Sequence, residues 1–99
     1  MRYLVIDASL NGTGIRDKYE GGYIEPADLG LSSEIINQLG DWLSRYAKEH
    51  YHGYTNEVKI DELDKEGKAI AMQVKKALID VKVEYYSDAR LSRNIIEDV

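Results

Sequence analysis

EVKIDELDKEGKAIAMQVKKALIDVKVEYY, residues 57–86, changes its hydrophobic period within one continuous stretch. Its first part carries Ile60, Leu63, Gly67, Ile70, Ala71, Val74, Ala77 and Leu78 at the three- and four-residue spacing of one helix face. Acids crowd the start (Glu57, Asp61, Glu62, Asp64, Glu66) and lysines follow (Lys68, Lys75, Lys76), as the helix dipole favours. Thr55 or Asn56 supplies the N-cap, and Asp61–Lys65 and Asp64–Lys68 stand as acid-first pairs four apart. Gly67 on the apolar stripe implies a close neighbour, most simply the backbone of another element. Val81 to Tyr86 then alternates with β-rich residues, placing Val81, Val83 and Tyr85 on one strand face. A helix over about 57–79 followed by a strand over 81–86 decides for an α/β fold.

Outward from that stretch, a second helix is predicted over 33–50. Ser32 or Ser33 caps it, Glu34 meets its positive end, and Ile35, Leu39, Trp42, Leu43 and Tyr46 form its apolar stripe. Gly53 suits the position just past its C-terminus. Trp42 is the candidate helix–sheet anchor, and Tyr46 a core member with a wet hydroxyl. Tyr3 to Ile6, closed by Asp7, reads as a buried strand over 2–7. The order β-α-α-β predicts one α/β domain over 1–99, two helices packed on a small, parallel sheet. Two strands make a poor sheet. Either the segment 10–30 hides a strand, with Gly22-Tyr23-Ile24 a brief edge, or a second copy of the chain completes the sheet edge as a homodimer. The tail from Leu91 to Val99 reads as a short helix capped by Ser92. Truncating Leu63, Ile70 or Val74 to alanine is expected to cost about 2–4 kcal/mol each.

The chain holds no cysteine, which excludes disulfides, thiolate metal sites and a thiol nucleophile. Its first apolar run is too short for a signal-peptide core or a membrane span, so a cytoplasmic protein with no membrane partner is expected. The net charge is -5 and no basic patch stands out along the chain, which argues against a nucleic-acid partner. His50 and His52 do not share a helix face, so no metal and no cofactor is expected. Gly12-Thr13-Gly14 and Gly21-Gly22 lack the context of a phosphate loop.

Two candidate sites remain. Residues 7–34 hold six acids against two bases, in a loop too long for a plain connector that also carries Tyr19 and Tyr23. Asp17, Tyr19, Glu20, Tyr23 and Glu25, helped by Asp61 and Asp64, are the expected contacts for a basic protein partner. Substitution of Asp17, Tyr19, Glu20 or Tyr23 is expected to leave the fold intact. The alternative is a small enzyme or ligand-binding domain at the strand ends, where Asp7, Ser87, Asp88 and Arg90 would gather with Ser9.

The stretch Gly22-Tyr23-Ile24-Glu25-Pro26-Ala27-Asp28-Leu29-Gly30-Leu31-Ser32, followed by Leu39, Trp42 and Tyr46, resembles the immunity proteins of polymorphic toxin and contact-dependent inhibition systems. The resemblance covers about a quarter of the chain and carries over no functional residue. It implies a small, acidic, non-catalytic protein that neutralises a toxin, often a basic nuclease.

Overall fold

A computed structural model describes residues 1–97. Along the chain come strand β1 (Arg2–Ile6), strand β2 (Ile15–Asp17), a short 3-10 turn (Pro26–Leu29), helix α1 (Ser33–Tyr51), helix α2 (Glu57–Ala77), strand β3 (Val81–Ser87) and strand β4 (Ser92–Ile95). The four strands form one mixed sheet in the order β2-β1-β3-β4. The central pair is parallel, with Leu4 opposite Val83 and Ile6 opposite Tyr85. Both outer strands run antiparallel to their neighbours.

The parallel sheet of the sequence reading is thus its centre only; the hidden-strand alternative holds for the segment 10–30, and the tail corrects the reading. The segment 10–30 does contain a strand, Ile15–Asp17, three residues long and without a readable period. Gly22-Tyr23-Ile24 lies along its outer side as a single bridge, Arg16 to Tyr23, flanked by bonds from Asp17 N to Gly22 O and from Ile24 N to Ile15 O. The tail is a strand, β4, instead of a helix capped by Ser92. A tight turn returns the chain: Leu91 takes φ 54° and its amide donates to the Ser87 carbonyl. The remainder of the expected tail helix, residues 98–99, lies outside the described residues. With four strands from one chain, the sheet no longer needs a second copy to complete it.

Alternation along the strands sends Leu4, Ile6, Ile15, Val81, Val83 and Tyr85 to one face. Both helices cover that face. Leu39, Trp42 and Tyr46 come from α1, and Leu63, Ile70, Ala71 and Val74 from α2. Ser32 caps α1 by accepting from the Ile35 amide, and Asn56 caps α2 by accepting from the Lys59 amide. Gly53, at φ 73°, follows α1 as expected.

Gly67 does admit a close neighbour, though it is a pair of rings and not a backbone. A Cβ there would lie 2.3 Å from the Tyr85 ring and 2.7 Å from the Trp42 ring. Trp42 is fully buried, and its Nε1 donates to the Leu63 carbonyl of α2. Ala77, on the predicted stripe, is exposed, and Asp64 is buried in the core-facing row.

Asp64 is the main departure inside α2. Its carboxylate accepts from the hydroxyls of Tyr46 (2.9 Å), Tyr85 (2.6 Å) and Ser87 (2.8 Å), and from the Arg90 guanidinium (3.0 Å). Four donors fill the capacity of one carboxylate, which is what makes its burial tolerable. So Asp64 turns inward instead of pairing with Lys68, and the Tyr46 hydroxyl is bonded to protein instead of water. Burial raises the Tyr46 hydroxyl to about 12, with the neighbouring Asp64 charge adding to the shift. Burial and the bond to Asp64 push Tyr85 up further still.

Candidate partner-binding site

The segment between β1 and α1 is held by local chemistry. The Asp7 amide donates to the Gly14 carbonyl, closing the β1–β2 turn, with Gly14 at φ 95° against the Leu39 side chain. Thr13 Oγ1 donates to the Ile24 carbonyl at 2.6 Å and ties the outer bridge back to this turn. Asp17 caps the next reversal: its Oδ1 accepts from the amides of Tyr19 (2.9 Å) and Glu20 (3.1 Å). Pro26 then starts the 3-10 turn and Gly30, at φ 74°, ends it.

This framework leaves four carboxylates facing a common recess of about 730 Å³, lined by Asp17, Glu20, Glu25 and Asp28 with Tyr23, Ile24, Gly22 and Arg2. Glu20, Glu25 and Asp28 are exposed, and among the described residues none forms an ion pair. Four like charges sharing a recess with a single base, Arg2, repel one another, so a further cation entering it would relieve that repulsion. Tyr19 is 72% exposed and leans edge-on against Tyr3, at 5.8 Å between ring centres.

Of the predicted contacts, the structure brings Asp17, Glu20, Tyr23 and Glu25 to the recess, with Tyr19 close in sequence beside them. Asp28, counted in the acidic excess but not named as a contact, belongs with them; it lies one turn after Glu25, a spacing that could have found it. Tyr23 has a second duty, because its hydroxyl donates to Asp7 at 3.0 Å and its ring lies over Gly12. Asp17 likewise holds the turn. Both therefore support the loop as well as lining it, against the expectation that either could change without consequence for the fold.

Asp61 and Asp64 do not join this group. They line a different hollow with Ser87, Arg90, Ser92 and Asn94 beside β4, at the opposite sheet edge from β2. Three strand spacings separate those edges, roughly 14 Å. Asp61 is exposed but paired with Arg90 at 2.7 Å, and Asp64 is buried as described.

The strand-end group divides. Ser9 Oγ donates to Asp88 Oδ1 at 3.4 Å, and Asp7 lies close enough to influence Asp88. Burial, with the Asp7 charge second, raises the Asp88 carboxyl above its ordinary value. Asp7 itself is fully buried, paired with Arg16 and bonded to Tyr23. Ser87 and Arg90 turn the other way, to Asp64. One convergent set of four residues is therefore not formed.

Helices on one face of a four-stranded mixed sheet, with an ordered acidic and aromatic segment at one edge, make this an α/β domain. Residues 4–88 match the family described as Serratia CdiI immunity protein-like, and the chain belongs to that family. Its general role is that of an immunity protein, with a toxin protein as its partner. No curated protein matches the chain. Among the described residues, no helix is long and apolar enough to cross a membrane.

Proposed function

We propose that this immunity protein engages its toxin in the cytoplasm through the recess of residues 16–28, and that the toxin segment entering it is basic. The observation that carries this is the recess itself, whose four carboxylates face one base, Arg2. The protein leaves these acids unpaired while it pairs Asp7, Asp61, Asp64 and Glu84 internally. Exposed charges of one sign steer an oppositely charged partner and raise the association rate. Tyr19, exposed at the rim, adds apolar contact area with a polar tip, which slows dissociation.

The test is binding kinetics against a purified toxin domain, once one is found to be neutralised by this chain. Glu20→Lys with Glu25→Lys is expected to slow association by about tenfold or more, and the wild-type rate to fall as salt shortens the Debye length. Tyr19→Ala is expected to speed dissociation with little effect on association. Wild-type rates in all these variants would place the interface elsewhere.

A further inference from the structure

The face of the sheet opposite the helices carries side chains that are scattered in sequence and meet only in the fold. Alternation and register bring Tyr3, Val5, Arg16, Lys82, Glu84, Tyr86 and Arg93 to it, with Lys18 at its edge. Its charge runs against that of the whole chain. Glu84 is paired with Lys18 at 3.2 Å, and Asp7 with Arg16. Lys82 and Arg93 are then left over. Lys82 sits 4.9 Å above the Tyr3 ring, and neither cation has a carboxylate partner among the described residues. No basic patch could be read along the chain because the cations of this face, Arg16, Lys82 and Arg93, come from three different strands.

The same face is dished. A hollow of about 290 Å³ lies between Arg16, Lys18, Glu84, Tyr86 and Arg93, floored by Val5. Tyr86 is half-buried, and its hydroxyl has no hydrogen-bond partner among the described residues. A floor of apolar surface, a free hydroxyl donor and two uncommitted cations leave donors in excess of the carboxylates there, Asp17 and the Lys18-paired Glu84. Carboxylate side chains on an extended segment meet that need, because they accept from guanidinium, ammonium and phenol.

We propose that this helix-free sheet face is a second docking surface, and that its occupant is an acidic protein segment. It does not depend on the reading of the 16–28 recess, which has the opposite sign and adjoins it at the Tyr3–Tyr19 contact. Charge separates a peptide from a polyphosphate here. Glu84 and Asp17 line the hollow itself, and the body of the protein is net -5, so a continuous phosphate backbone is repelled along most of its length. A short acidic segment places its charge only where Lys82 and Arg93 stand.

The experiment uses the full-length, isotope-labelled chain and follows its amide resonances. The probe is a synthetic hexapeptide with two glutamates separated by neutral residues and one tyrosine; inorganic phosphate and a ten-nucleotide single-stranded RNA are run as separate arms. The peptide is expected to give saturable shifts at Lys82, Tyr86 and Arg93 that weaken as salt rises. Lys82→Glu with Arg93→Glu should weaken peptide binding by about tenfold or more, and Lys82→Gln with Arg93→Gln by an intermediate factor. The glutamine pair keeps the test valid should the reversed pair perturb the sheet. Glu20→Lys with Glu25→Lys should leave the shifts at Lys82 and Arg93 in place, separating this face from the recess. No saturable shift up to millimolar peptide overturns the proposal. So does wild-type affinity in both charge variants, or RNA or phosphate binding the face as tightly as the peptide does.

Discussion

Asp64 and Glu20 are carboxylates of the same acidic chain put to opposite uses. Asp64 sits in the core-facing row of α2 with four donors around it, three hydroxyls and a guanidinium, reaching from α1, β3 and the turn after β3. Glu20 stands in solvent beside Asp17, Glu25 and Asp28 with no cation paired to it among the described residues. The first is a cost of burial offset by complete hydrogen bonding. The second is a repulsion left standing on the surface. The difference teaches that acidity alone does not mark a binding residue in this chain. What marks it is an acid that the fold positions but does not neutralise.

The sharpest way to break that comparison is to remove the buried member. Asp64→Ala strands the hydroxyls of Tyr46, Tyr85 and Ser87 and the Arg90 charge together, so a loss of about 3–5 kcal/mol in urea-unfolding free energy is expected. A loss under about 1 kcal/mol would mean the network contributes little.

Next in size is Tyr46→Phe, which removes one donor to Asp64 and the acceptor for the Ala89 amide, at about 1–2 kcal/mol near neutral pH. Its pH signature is distinctive. The folded protein holds the Tyr46 proton up to about 12, whereas an ordinary tyrosine releases it near 10.0. Above that ordinary value the unfolded state binds fewer protons than the folded one, so stability falls as pH rises from about 10 to about 12. Equilibrium unfolding across that range should show a shallower fall in Tyr46→Phe than in the wild type.

The loop supplies the two smallest effects. Asp17→Ala removes the acceptor for the Tyr19 and Glu20 amides and is expected to cost about 0.5–2 kcal/mol, as loss of a side-chain cap does elsewhere. Glu20→Lys with Asp28→Lys should move stability by no more than about 0.5 kcal/mol, because neither side chain is engaged by the fold. Thermal or urea unfolding ranks all four. If Glu20→Lys with Asp28→Lys were as destabilising as Asp17→Ala, the loop acids would be structural and the contrast with Asp64 would collapse.

Sequence alone determined the helices and the central strands, because each shows its period over enough residues to be read. The caps at Ser32 and Asn56, the stripe through Leu63, Ile70 and Val74, and the alternation of Val81, Val83 and Tyr85 are all local signals. The acidic excess between Asp7 and Glu34 was equally plain; the likeness of residues 22–32 to immunity proteins was diffuse, and the family match over residues 4–88 is what shows the family. The edge strands were not legible. Ile15–Asp17 is too short to show a period, and Ser92–Ile95 is exposed throughout and follows a turn that puts Leu91 at φ 54° where a glycine or asparagine would have announced it. Only tertiary structure decided which acids are spent and which are free. Asp61 and Asp64 look like neighbours of a common acidic surface until the sheet order sets them at the far edge from the loop, one paired with Arg90 and the other buried among hydroxyls. Lys82 and Arg93 look unrelated until strand register puts them on one face. Period and capping are properties of neighbours along the chain. Burial and charge pairing are properties of neighbours in space, and those exist only once the strands have found their order.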